Sequence, residues 1–141
     1  MFAIVIPKGR DLVAISSMTR VDEGQQESMR QLMKNDSDEW KTWMHECRML
    51  LIASGVDWGI HLGHSGKERK GPLQAFNVSE PVWFDGLTKN EMMQNLRRLW
   101  LAKLGIIHEI KFTFGKGSGK PGPVDDWKDK TRSQQLSLIH I

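Results

Sequence analysis

A helix punctuated at both ends constrains this chain more than any other feature. Thr88, followed three residues later by Glu91, forms a capping box, Leu87 is placed to staple against Met92, and Gly105 supplies a C-terminal stop. The start signals together are worth about 1 to 2 kcal/mol. Between the two ends Met92, Met93, Leu96, Leu99, Trp100 and Leu104 recur at helical spacing, so they are expected to form a buried stripe with Arg97, Arg98 and Lys103 riding outside.

Other segments supply the layer on which such a stripe can pack. Residues 2–6 and 12–16 are apolar and β-rich, and the Pro-Lys-Gly-Arg between them predicts an opening hairpin. Residues 22–34 are polar, with Met29, Leu32 and Met33 at helical spacing and Asn35 as terminator, which predicts a short surface helix despite Gly24. Asp36 and Glu39 form a second capping box, and Trp40, Trp43, Met44, Cys47, Leu50 and Leu51 share one face until Gly55. Val56, Trp58, Ile60 and Leu62 then alternate with Asp57, Gly59, His61 and Gly63, the period of a half-buried strand. A polar loop, 63–71, leads to two short strand candidates, 73–78 and 82–84, broken by Ser79-Glu80-Pro81. After Gly105, the alternation from Ile110 through Phe112 to Phe114 reads residues 106–114 as a last strand.

The fold expected is α+β: a small antiparallel or mixed sheet in the order hairpin-α-α-β-β-β-α-β, packed by two amphipathic helices. With 141 residues, 39% of them hydrophobic, one domain over residues 1–114 suffices. Residues 115–141, rich in Gly, Lys, Pro and Ser at their start, are expected to be a flexible basic tail. Residues 136–141, Leu-Ser-Leu-Ile-His-Ile, resemble read-through of adapter sequence and are not expected to belong to the native fold. Residues 1–110 hold 14 basic and 14 acidic side chains, so the whole net charge of +3 falls in the remainder. That is a local basic patch, suited to phosphate without demanding it. The single Cys47 excludes an internal disulfide and a multi-cysteine zinc site, and the opening apolar run is too short for a signal-peptide core. A cytoplasmic setting without membrane contact is expected; oligomeric state is left open.

Candidate chemistry gathers in three places. The capped helix, the Leu104-Gly105-Ile106-Ile107 joint, the following strand and the Gly/Lys loop resemble the second half of a winged-helix DNA-binding domain. That resemblance implies DNA contacts from Lys89, Gln94, Arg97 and Arg98, with Lys116 and Lys120 of the wing on phosphate. It departs from the pattern where a preceding short helix is needed, since residues 81–84 look extended. The element order also resembles the core of the PD-(D/E)xK nucleases, which implies Asp57 and Glu68 on a divalent metal and Lys70 on the attacking water. Asp57, His61 and His64 form an alternative metal set, with His108 a further member where folding brings it near. His45 and Cys47, two apart on a helix, point to different faces and are no nucleophile pair.

Five of the six tryptophans, Trp40, Trp43, Trp58, Trp83 and Trp100, fit apolar faces and are expected in the core, leaving Trp127 exposed. The Gly-Lys loop is not a P-loop, because Pro121 stands where the hydroxyl should be. Three functions remain: a non-enzymatic nucleic-acid-binding accessory protein without cofactor, a metal-dependent nuclease, or a protein-interaction module presenting Met29 and Met33 from an exposed helix.

Overall fold

The computed structural model describes residues 1–126. Strands β1 (Ala3–Val5) and β2 (Leu12–Arg20) form the opening hairpin, followed by helices α1 (Glu23–Asn35) and α2 (Ser37–Ser54). Strands β3 (Asp57–Leu62) and β4 (Leu73–Trp83) come next, then a 3-10 turn at Phe84–Gly86 and helix α3 (Lys89–Phe114). The sheet is antiparallel throughout, in the order β1-β2-β4-β3. The fold is α+β, as expected, with two changes in its element order.

The first change is at Pro81. Strand β4 runs straight through Ser79-Glu80-Pro81, pairing Ala14 with Pro81 and Leu12 with Trp83, so the two short strand candidates are one. Proline is tolerated because β3 ends at the Asp57–Ser79 pair, which leaves β4 with a neighbour on one side only.

The second change is at Gly105. Helix α3 continues through it for nine more residues, so no strand follows. Leu99, Lys103, Ile106 and Ile110 are buried at a helical interval. Burying Ile106 and Ile110 gains about 1.5 to 3 kcal/mol each, against roughly 1 kcal/mol for a glycine inside a helix. Gly105 meets no other atoms around its Cβ direction. The helix therefore wins, and the winged-helix resemblance ends at this point for want of a wing strand.

Ile15, Phe76, Val78 and Val82 share one sheet face and form the core with residues from all three helices. At one end of it Trp40 and Trp43 stack at 5.5 Å, and Phe114 meets Trp43 edge-on at 4.8 Å. Their indole N–H groups donate to the Lys70 carbonyl at 3.0 Å and to Thr113 Oγ1 at 3.2 Å. Gly71 is required beneath them: its φ is +119°, and a Cβ there would lie 2.5 Å from the Trp40 ring.

Residues 115–123 are tied to α1 and its cap instead of projecting from the domain, and Asp125 is held by Gln74 and His64. The Asp22 carboxylate accepts from Gly24 N at 2.7 Å and Gln25 N at 3.2 Å, capping α1, and also from Ser118 N and Gly119 N, both at 2.8 Å. Gln25 Nε2 donates to the Gly115 carbonyl and Gln26 Nε2 to that of Pro123. The backbone at Ser118 presses so closely on α1 that a Cβ at Gly24 would lie 2.7 Å from its nitrogen. The rest of the predicted tail, Trp127 included, lies outside the described residues.

Candidate interaction surface

Helix α3 is apolar on both sides. Its inner face carries Leu99, Ala102, Ile106 and Ile110, with Asn95 and Lys103 also buried. At 100° per residue, Met93, Arg97, Trp100, Leu101, Leu104, His108, Lys111 and Phe112 fall on the opposite side within an arc of about 120°. The apolar members are open to solvent: Met93 63%, Trp100 47%, Leu101 52%, Leu104 42% and Phe112 81%. The expected buried stripe is thus rotated, for Met93, Trp100 and Leu104 lie outside and Lys103 inside. Lys103 donates from Nζ to Ser17 Oγ at 3.0 Å and lies 5.6 Å from the centre of the Phe2 ring. Met49, Leu50 and Ile52 of α2 are exposed as well, contrary to the burial expected of Leu50.

Charge on this face is one-signed. Arg97 and Lys111 stand on the outer arc with His108 between them, whereas the acids of α3, Glu91 and Glu109, lie outside it. Arg97 and Lys111 are 14 residues apart, which is roughly 21 Å along the axis. Neither has an ion pair among the described residues.

The predicted nucleic-acid residues are scattered by the length of the same helix. Lys89 begins α3, and its last residue, Phe114, is roughly 38 Å away. Lys116 and Lys120 therefore sit at the far end from Lys89 and Gln94. Arg98 is engaged, with Nη2 3.1 Å from Glu80 Oε1 and bonded to Asn95 Oδ1. Arg97 stays exposed.

The nuclease set is not assembled. Asp57 opens β3, whose six residues place it about 17 Å from the other end, where the loop carrying Glu68 begins. Glu68 and Lys70 pair with each other at 2.6 Å, and the hydrogen bond from the lysine holds the Glu68 carboxyl below its ordinary range. In the alternative metal set, Asp57 and His61 lie toward opposite ends of β3, and His64 Nε2 lies 3.1 Å from the Asp126 carboxylate, which also holds Arg69. Among the described residues no three His, Cys, Asp or Glu side chains converge as a metal site. Cys47 is buried, and desolvation with help from Glu109 and Glu46 pushes its thiol up to about 12, so it is no nucleophile at neutral pH. Met29 is fully buried and Met33 packs on the core, which removes the surface that they were expected to present. Trp83 is exposed too, with Arg10 5.7 Å above its ring.

The sequence pattern of a family described as an uncharacterized conserved protein, DUF2299, matches residues 1–110. The chain belongs to the DUF2299 family. That match takes in the whole sheet, α1, α2 and most of the outer face of α3. A search of curated proteins gives no match. Among solved structures, this DUF2299 chain is similar to the crystal structure of an uncharacterized protein from Methanothermobacter thermautotrophicus. The two are 26% identical with a TM-score of 0.69, over 79% of this chain and 72% of that one. No helix among the described residues is long and apolar enough to cross a membrane.

Proposed function

We propose that this protein is a non-catalytic interaction module whose α3 outer face docks an amphipathic, acid-bearing helix of another protein. The observation that carries this reading is a 26-residue helix with apolar residues on both sides, since such a helix is ordinarily covered on both. Charge selects the occupant. A second copy docked antiparallel about Leu104 would set Arg97 against Lys111, and one docked in parallel would set Arg97 against Arg97. A foreign helix with acids spaced about 20 Å along its flank neutralises both cations instead. A lone, buried cysteine suits a reducing, cytoplasmic setting for this contact.

Two labelled peptides of about 20 residues test this, one a leucine-striped helix flanked by glutamates and the other flanked by lysines. The acidic peptide should bind at least about tenfold tighter at low salt, and Trp100→Ser with Leu104→Ser should abolish the difference. Equal binding of the two peptides would remove the charge argument. A dimer in sedimentation that Leu104→Ser dissociates would replace the foreign partner with a second copy. Preferential binding of single-stranded or duplex nucleic acid, lost in Arg97→Ala, would restore the nucleic-acid reading.

A further inference from the structure

At the end of β2, where it meets the C-terminal half of α3 and the loop tied to Asp22, there is a cavity of about 220 Å³. Its walls carry three cations from three different elements: Arg20, Lys111 and Lys116. The acid beside them, Asp22, has four backbone N–H groups on its carboxylate, foremost that of Ser118, and these hold its pKa down. Arg20 is fixed by its Nε on the Gly122 carbonyl, while Lys111 and Lys116 have no ion pair among the described residues. Thr19, also in the wall, has its hydroxyl buried without a hydrogen-bond partner. The floor is apolar, formed by Ile107 and Ile110.

We infer that this cavity binds a small organic anion, with a carboxylate or phosphate head between the lysines and a short apolar body on Ile107 and Ile110. Charge and shape together support it. Lys111 and Lys116 outnumber Asp22 in the wall, and charge-assisted hydrogen bonds are roughly twice as strong as neutral ones. The volume lies below the roughly 300 Å³ at which drug-sized sites begin, which restricts the ligand to a short chain. The site is independent of the α3 docking face except for Lys111, which borders both.

The test is titration of the full chain with hexanoate, hexyl phosphate, inorganic phosphate and 1-hexanol, followed by the methyl signals of Ile107 and Ile110. Either hexyl anion should shift those methyls saturably, at least about tenfold more tightly than hexanol. Whichever anion is tighter identifies the head group. Lys116→Gln should weaken anion binding several-fold and leave the acidic peptide unaffected, and Leu104→Ser should do the reverse, so either site can fail alone. Lys111→Gln with Lys116→Gln should remove most anion affinity while the amide spectrum stays that of the folded chain. Hexanol binding as tightly as the anions, inorganic phosphate binding as tightly as hexyl phosphate, no saturable shift, or undiminished binding by the double variant would each overturn the assignment.

Discussion

Around Trp43 every group has a partner: Trp40 stacks on it, Phe114 meets its edge, and its N–H reaches Thr113. Around Trp100, on the helix that packs against it, the indole has neither ring partner nor hydrogen bond among the described residues, and about half of the side chain meets solvent. The same residue type thus closes a core in one place and is left over in the other. Partner satisfaction, not hydrophobicity, separates residues that hold the fold from residues available to a ligand.

Truncation should break this symmetry most strongly. Trp43→Ala leaves a cavity beside Trp40 and Phe114, and it should cost about 3 to 5 kcal/mol in chemical denaturation. Trp100→Ser should change stability by no more than about 0.5 kcal/mol. A comparable loss at Trp100 would mean that its face is already occupied within the chain, and the docking proposal would fall with it.

Legibility in the sequence divides along the same line. The two helix N-caps and the opening hairpin are readable because their hydrogen bonds and turns are local, as the Glu91 N–H donating to Thr88 Oγ1 and the Glu39 N–H donating to Asp36 Oδ1, both at 3.1 Å, show. Pro81 looks like a strand break in the sequence because its tolerance depends on where β3 stops, a fact of tertiary structure. The buried stripe of α3 is rotated from the expected one, with Leu99 buried and Met92 and Leu96 on the core but Met93, Trp100 and Leu104 outside, because residues of both sides are apolar and periodicity blurs the direction. Lys103 made the choice harder still, since a lysine counted as exposed lies beneath the helix on Ser17. Of the candidate site residues, Arg97 kept an open position, whereas Arg98, Glu68, Lys70 and His64 were taken by neighbours that sequence spacing does not display. The signal that could have found the outer face was present: a helix with too many apolar residues for one stripe.

Asp22 sharpens the comparison at the other end of α1. Its carboxylate is held below the usual range, foremost by the Ser118 N–H, so its contribution to folding is fully present above the unfolded value near 4. It is lost as pH falls through the depressed folded value. Asp22→Ala should therefore release the 115–123 loop at neutral pH and raise amide exchange at Ser118 and Gly119 by about tenfold or more. The unmodified chain should reach that state only in acid, below pH 4. Unchanged exchange in the variant would show that Gln25 and Gln26 hold the loop, and with it the cavity wall at Lys116, without the carboxylate.

The smallest effect discriminates best, because its sign differs between two structures. If α3 is continuous at Gly105, that residue has ordinary helical geometry with open space around it, as the absence of a positive φ and of nearby atoms indicates. Alanine should then stabilise the protein by about 0.5 to 1 kcal/mol, chiefly by restricting the unfolded chain. If the helix stopped there, Gly105 would occupy a left-handed terminating position, and alanine would cost about 1 kcal/mol or more. A single denaturation curve of Gly105→Ala decides between them. Stabilisation keeps Leu104, His108 and Phe112 on one helical face with Trp100. Destabilisation would separate Phe112 from that face, shorten the docking surface to its first half, and return residues 106–114 to the strand that their alternation suggests.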